Sequence, residues 1–108
     1  MPTTSAFRID IDERHLQAYG TAHGGVLAGL IDAAMGLAIL ARVPDQGCAT
    51  VELKVNFLAP AVLGRLTASG RVVSQGRRTV VAWAEAADSA GTLVACGLGT
   101  FQIVGAAR

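Results

Sequence analysis

The chain has 108 residues, a length that reads as a single domain over 1–108 with enough core to fold without disulfide or metal staples. Nine Lys and Arg against eight Asp and Glu leave a formal charge of +1, which supplies neither a basic field for nucleic acid nor a like-charged tail. An apolar fraction of 52% and a mean hydropathy of +0.47 exceed what a small monomer usually hides, so some surface is expected to be covered by another copy of the chain.

Residues 1–5 read as a loose terminus. MPTTSAFRID has neither the basic n-region nor the apolar h-region of a secretory signal, so a cytoplasmic protein is expected. Cys48 and Cys96 are then free thiols acting as small hydrophobes, and without histidine at ligand spacing they make no metal site. Phe7, Ile9 and Ile11 alternate with Arg8, Asp10 and Asp12, the period of a short strand. The mixed stretch ERHLQAYGTA breaks at Gly20 and reads as a turn of helix and a loop, with Tyr19 close enough in sequence to line a pocket.

The loop delivers the chain to His23–Arg42, HGGVLAGLIDAAMGLAILAR. Good helix formers dominate and no proline interrupts, which predicts one helix of about five turns, roughly 28 Å long. It ends near Arg42 with Pro44 just beyond as a stop signal. A helix apolar nearly all round is either wrapped by other elements or sits in lipid. A central carboxylate, Asp32, costs several kcal/mol in lipid, and the downstream sequence alternates like a sheet, so the wrapped helix is expected and a membrane is not. Gly24, Gly25, Gly29 and Gly36 are expected to let sheet and helix approach closely. Asp32 would then be an enclosed carboxylate, which is expensive unless it is paired locally or used.

From Ala49 the period becomes two. Val51, Leu53, Val55 and Phe57 face one way and Thr50, Glu52, Lys54 and Asn56 the other, with Pro60 closing the strand. After Gly64, Leu66, Ala68, Gly70 and Val72 share a face; SQGRR at 74–78 turns; Thr79–Ala87 is a strand; DSAG at 88–91 turns; Thr92–Ile103 is the last strand. Its face of Leu93, Ala95, Gly97, Gly99, Phe101 and Ile103 has a small middle that lets a helix lie close. The result is an α+β domain in which an antiparallel sheet, its last four strands joined by short hairpins, wraps one long α-helix and leaves its other face for solvent or a partner.

At the first helical turn, Gly24 and Gly25 present backbone N–H groups that lack intrahelical acceptors, at the positive end of the macrodipole. They can approach a carbonyl oxygen and stabilise charge on it, or simply ease a tight entry into the helix. The set Gln17, Gly20, His23, Gly24, Gly25, Asp32, Thr50 and the strand running into FLAPA resembles the hotdog-fold acyl-CoA thioesterases, in particular the phenylacetate-degradation (PaaI-like) branch, from about Phe7 to Ile103.

The resemblance implies roles. Asp32 matches the catalytic carboxylate, base or nucleophile toward the thioester carbonyl, and Gly24 the amide that polarises that carbonyl. Gln17 matches a group that places water or substrate, Thr50 a hydroxyl that assists the water or the carboxylate, and His23 a part of the catalytic signature that orients the loop or lies near the thioester. Gly25 and the basic pair Arg77 and Arg78 are candidate substrate contacts, the arginines for coenzyme A phosphates. No cofactor is implied beyond coenzyme A as part of the substrate, and the expected self-association is a homodimer, extending to a homotetramer.

The residue types suit that chemistry independently. Thioester hydrolysis needs an attacking oxygen and a donor for the oxyanion, while the thiolate leaves readily. There is no Gly-x-Ser-x-Gly elbow and no evident triad. Asp32 lies eight residues beyond Gly24, an axial rise of about 12 Å, whereas both must reach one carbonyl within roughly 3–3.5 Å. A site shared between two subunits is therefore expected, with Gly24 and Gln17 from one and Asp32 and Thr50 from the other. Two other functions stay open: a non-catalytic acyl-CoA-binding module and, less well matched, a hotdog dehydratase or hydratase. Asp32 equally allows a structural role, bonded to Thr50 or a loop amide, and Arg77 and Arg78 a solvated hairpin tip.

Overall fold

The computed structural model describes residues 4–17 and 20–105, with the backbone alone for residues 4–7. Tyr19, expected near a pocket, lies outside the described residues, as do residues 1–3 of the expected loose terminus. The chain forms β1 (Thr4–Ile11), a 3-10 turn (Glu13–His15), α1 (Gly24–Arg42), β2 (Gly47–Phe57), β3 (Gly64–Gln75), β4 (Thr79–Asp88) and β5 (Leu93–Val104). The first strand reaches further back than the alternation showed, since Thr4 and Ser5 pair with Arg71 and Gly70.

Asp12 caps the short turn. Its carboxylate accepts the Arg14 N–H at 2.9 Å, and the Asp12 N–H donates to His15 Nδ1 at 2.9 Å, which satisfies two donors reciprocally. The backbone then folds back on itself: the His23 N–H donates to the His15 carbonyl at 2.8 Å, and the Ala22 N–H to the Ala61 carbonyl at 2.6 Å. These bonds set the point at which α1 begins.

All strand pairs are antiparallel and the order is β1-β3-β4-β5-β2. The hairpins β3–β4 and β4–β5 are those the turn residues predict. The expected hairpin between the two strands flanking Pro60 does not form. β2 instead pairs with β5 at the far edge, the Leu58 N–H still donating to the Val94 carbonyl of β5, and residues 58–63 then pass the loop before α1, where the Ala61 carbonyl accepts the Ala22 N–H. Alternation tells that a strand exists and which face is apolar, but its partner is decided by what the apolar face covers.

The five strands curl around α1 in the hotdog arrangement. Leu27, Leu30, Ile31, Ala34, Met35, Ala38 and Ile39 are buried on the sheet, where each large apolar side chain contributes roughly 1.5–3 kcal/mol. By length and hydropathy α1 would also cross a membrane, yet these residues pack it as a core helix. The close approach is made by glycines of the sheet. A Cβ on Gly97 would stand 2.8 Å from the Ile31 side chain, one on Gly99 3.0 Å from Met35, and one on Gly70 would enter the Ala34 carbonyl. This corrects the role expected for the helix glycines: Gly25, Gly29 and Gly36 face away from the sheet into open space, and a Cβ on Gly24 meets Phe57. Because the obstacle at Gly70 is backbone, Gly70→Ala is expected to cost about 2–3 kcal/mol of unfolding free energy in urea titration at fixed protein concentration, with the loss of unfolded-state freedom offsetting only a fraction. A midpoint equal to wild type would mean that helix and sheet are less tightly held at this crossing.

The uncovered side of α1 carries exposed Gly25, Gly29, Ala33, Leu37 and Leu40. Asp32 lies on this side and is half-buried, not enclosed by the sheet as the all-apolar helix suggested.

Candidate functional site

The Thr50 hydroxyl donates to Asp32 Oδ1 at 2.7 Å, joining residues 18 positions apart in sequence. A local irregularity makes this contact. Strict alternation places Thr50 on the face opposite Leu53 and Val55, but Thr50 pairs with Phe101 and Glu52 with Thr100, so Val51 is an extra residue that shifts the phase. Upstream of this bulge Cys48 and Thr50 turn toward α1. Downstream Leu53 and Val55 do. Oδ2 of Asp32 has no hydrogen-bond partner among the described residues. Asp32 borders a hollow of about 390 Å³ lined also by Ala33, Gly36, Leu37, Leu40, Cys48, Thr50 and Phe101. Burial, and secondly the negative charge of Asp32, raise the Cys48 thiol above its ordinary pKa and keep it protonated at neutral pH.

A second hollow, of about 500 Å³, lies at the N-terminus of α1 between Gln17, Gly24 and the segment Phe57–Ala61. Gln17 is held by a closed loop: its N–H donates to the Thr21 carbonyl at 2.8 Å and its Nε2 to the Thr21 hydroxyl at 2.9 Å. Gln17 so held lines the hollow. His23 is the N-cap residue, with no side-chain capping bond, so its part in the fold is the backbone bond to His15. The first intrahelical bonds run from Val26 and Leu27 to the His23 carbonyl, and the Gly24 N–H has no backbone acceptor among the described residues. The Phe57 ring stands over Gly24, with Cζ 3.3 Å from where a Cβ would be.

The residues expected to act together thus fall into two groups on one chain. Asp32 and Thr50 share one hollow, Gln17 and Gly24 the other, and neither of the two contains both sets. Gly25 is exposed on the helix and lines neither. Arg77 and Arg78 are exposed at the β3–β4 turn. Val80 pairs with Phe101, Phe101 with Thr50, and the Ile103 N–H donates to the Arg78 carbonyl at 2.7 Å. The arginines therefore stand at the Thr50 end of the sheet, two strands or about 10 Å to the side.

Sequence reading missed Cys48, Phe57, Leu37, Leu40 and Phe101 as lining residues. Cys48 is two positions before Thr50 and so shares its face, a signal present in the strand period. The apolar residues carried none, since core and pocket use the same side chains.

The sequence profile of the thioesterase superfamily matches residues 19–95. The chain belongs to the thioesterase superfamily, a family of thioester hydrolases. An esterase-named protein of Saccharolobus solfataricus is 34% identical over 99 residues, covering 92% of this chain and 66% of its own length. The chain thus spans about two thirds of that relative. A Bacillus halodurans protein crystallised with CoA superposes with a TM-score of 0.87 at 31% identity, covering 90% of this chain and 69% of its own. The Escherichia coli PaaI protein from the phenylacetic acid degradation operon superposes at 0.90 with 25% identity, covering 96% and 75%. These likenesses agree with the branch to which the HGG turn and Asp32 pointed.

Proposed function

We propose that this chain is a cytoplasmic acyl-CoA thioesterase whose active site is completed by a second copy. The observation that carries the reading is the division of the hydrolytic groups into two hollows on one chain: a carboxylate with its hydroxyl partner in one, an amide donor with a glutamine in the other. A two-fold axis that brings one hollow against the other makes two equivalent sites. The unpaired edge of β2, with exposed Val51, Phe57 and Leu58, is a surface suited to that contact. Exposed Leu98 on the sheet's outer face offers a second surface, through which dimers pair into a tetramer.

In such a site Thr50 fixes Asp32 through Oδ1, and Oδ2 takes a proton from water as the water oxygen attacks the thioester carbon, or attacks that carbon itself. The N–H of Gly24 of the partner subunit receives the developing oxyanion, and Gln17 places water or the carbonyl. The C–S bond breaks and the thiolate takes up the proton that water gives up; where Asp32 itself attacks, that water then cleaves the acyl-Asp32 anhydride and frees the carboxylate. Arg77 and Arg78 hold coenzyme A phosphates at the rim. CoA in the Bacillus halodurans relative supports the substrate class.

The test is subunit complementation on a panel of acyl-CoAs with a thiol-reactive dye. Wild type releases CoA. Asp32→Asn and Gly24→Pro, which deletes the amide hydrogen, are each inactive alone. Mixed chains regain about a quarter of wild-type activity, because half of randomly paired dimers are mixed and each mixed dimer keeps one intact site of two. No recovery in demonstrably mixed dimers would place Asp32 and Gly24 in sites within single chains. Binding without CoA release in wild type would favour the non-catalytic module.

A further inference from the structure

A glycine inside a helix weakens it relative to alanine, so an interior glycine calls for a reason. For Gly70, Gly97 and Gly99 of the sheet the reason is the crossing helix. Gly36 has no such reason. It lies one turn beyond Asp32 in α1, half-buried, and a Cβ built on it meets no atom within 4 Å. It borders the hollow of about 390 Å³ that begins at Asp32 and Thr50 and continues over Leu37 and Leu40 to Phe101. Side chains at i and i+4 of a helix lie about 5–6 Å apart at Cβ, so any group at position 36 would project into the space beside the carboxylate.

The walls of this space are chemically one-sided. Away from Asp32 and Thr50 they are apolar apart from the protonated Cys48 thiol, and no cation is among them. An acyl group bearing its own carboxylate would meet Asp32 without a counter-charge. We propose that Gly36 is the specificity-determining residue for acyl size: the bare backbone there makes room for an uncharged alkyl or aryl acyl group lying along α1 from Asp32 toward Leu40. The inference rests on the thioesterase reading for its ligand and goes beyond it in assigning the acyl class and the residue that limits it.

The experiment compares wild type, Gly36→Ala and Gly36→Leu on straight-chain acyl-CoAs from acetyl to decanoyl, with phenylacetyl-CoA and succinyl-CoA added. The same ladder is titrated calorimetrically into each protein carrying Asp32→Asn, and solution mass is recorded throughout. The octanoyl-to-acetyl ratio of kcat/KM is expected to fall slightly in Gly36→Ala and by at least about tenfold in Gly36→Leu, since one or two methylenes in an apolar pocket are worth that much. Succinyl-CoA is expected to be a poor substrate of all three. A ratio unchanged by either substitution would overturn the proposal. So would a solution mass that drops in Gly36→Leu, which would make position 36 a packing contact between subunits instead of room for an acyl group. If wild type hydrolyses no thioester, the hydrolase reading fails and the titrations decide the inference alone: acyl-length dependence of binding altered at position 36 upholds it, and unaltered dependence overturns it.

Discussion

Asp32→Asn is expected to lower turnover on acyl-CoA at least about a hundredfold while changing the dissociation constant for substrate only a few-fold. Asparagine has nearly the same shape, and its amide oxygen can still accept from the Thr50 hydroxyl that reaches Asp32 Oδ1 at 2.7 Å. The local geometry is therefore kept, and what is lost is the capacity to take a proton or to attack carbon. Folding is not threatened, because Asp32 is half-buried and among the described residues no buried counter-ion depends on it. Steady-state CoA release gives the turnover and calorimetry the affinity. Wild-type turnover in the variant would remove the carboxylate from the chemistry and leave it the structural role that its bond to Thr50 also allows.

That bond shows where sequence reading ends. The apolar period of two gave β3 with its buried face intact, Leu66, Ala68 and Val72, and gave β4 as a strand, whose buried face the structure shows to be Val80, Ala82, Ala84 and Ala86. It also gave the small middle of β5 over which α1 lies. The same rule sent Thr50 to the wrong face, because one extra residue, Val51, is invisible in an alternation that looks regular on both sides of it. The helix glycines were misread for a related reason. A helix apolar all round does not say which side meets the sheet, and only the burial of Leu27, Ile31, Ala34 and Met35 leaves Gly25, Gly29 and Gly36 on the other side. The half-exposure of Asp32 follows from the same rotation. The separation of Asp32 from Gly24, by contrast, was legible at once, since eight residues of helix hold the two apart whatever surrounds them, and they do fall in different hollows.

Gly24→Pro is expected to reduce turnover by about a hundred- to a thousandfold, the range for loss of one oxyanion donor, with little change in stability. Proline is at home at the first helical position, where the missing N–H breaks no intrahelical bond, and the Gly24 N–H has no backbone acceptor among the described residues. The residue before it is already suitable: His23 has φ −56° and ψ 140°, the extended conformation that a following proline demands. The added Cβ meets the Phe57 ring at 3.3 Å, and that ring is an exposed side chain able to yield by the few tenths of an ångström required. Gly24→Ala supplies the control, since it introduces the same Cβ and keeps the N–H. Loss of turnover in the proline variant alone identifies the amide hydrogen as the donor. Equal losses in both would trace the effect to crowding against Phe57, and full turnover in the proline variant would leave the oxyanion without the donor that the helix N-terminus supplies.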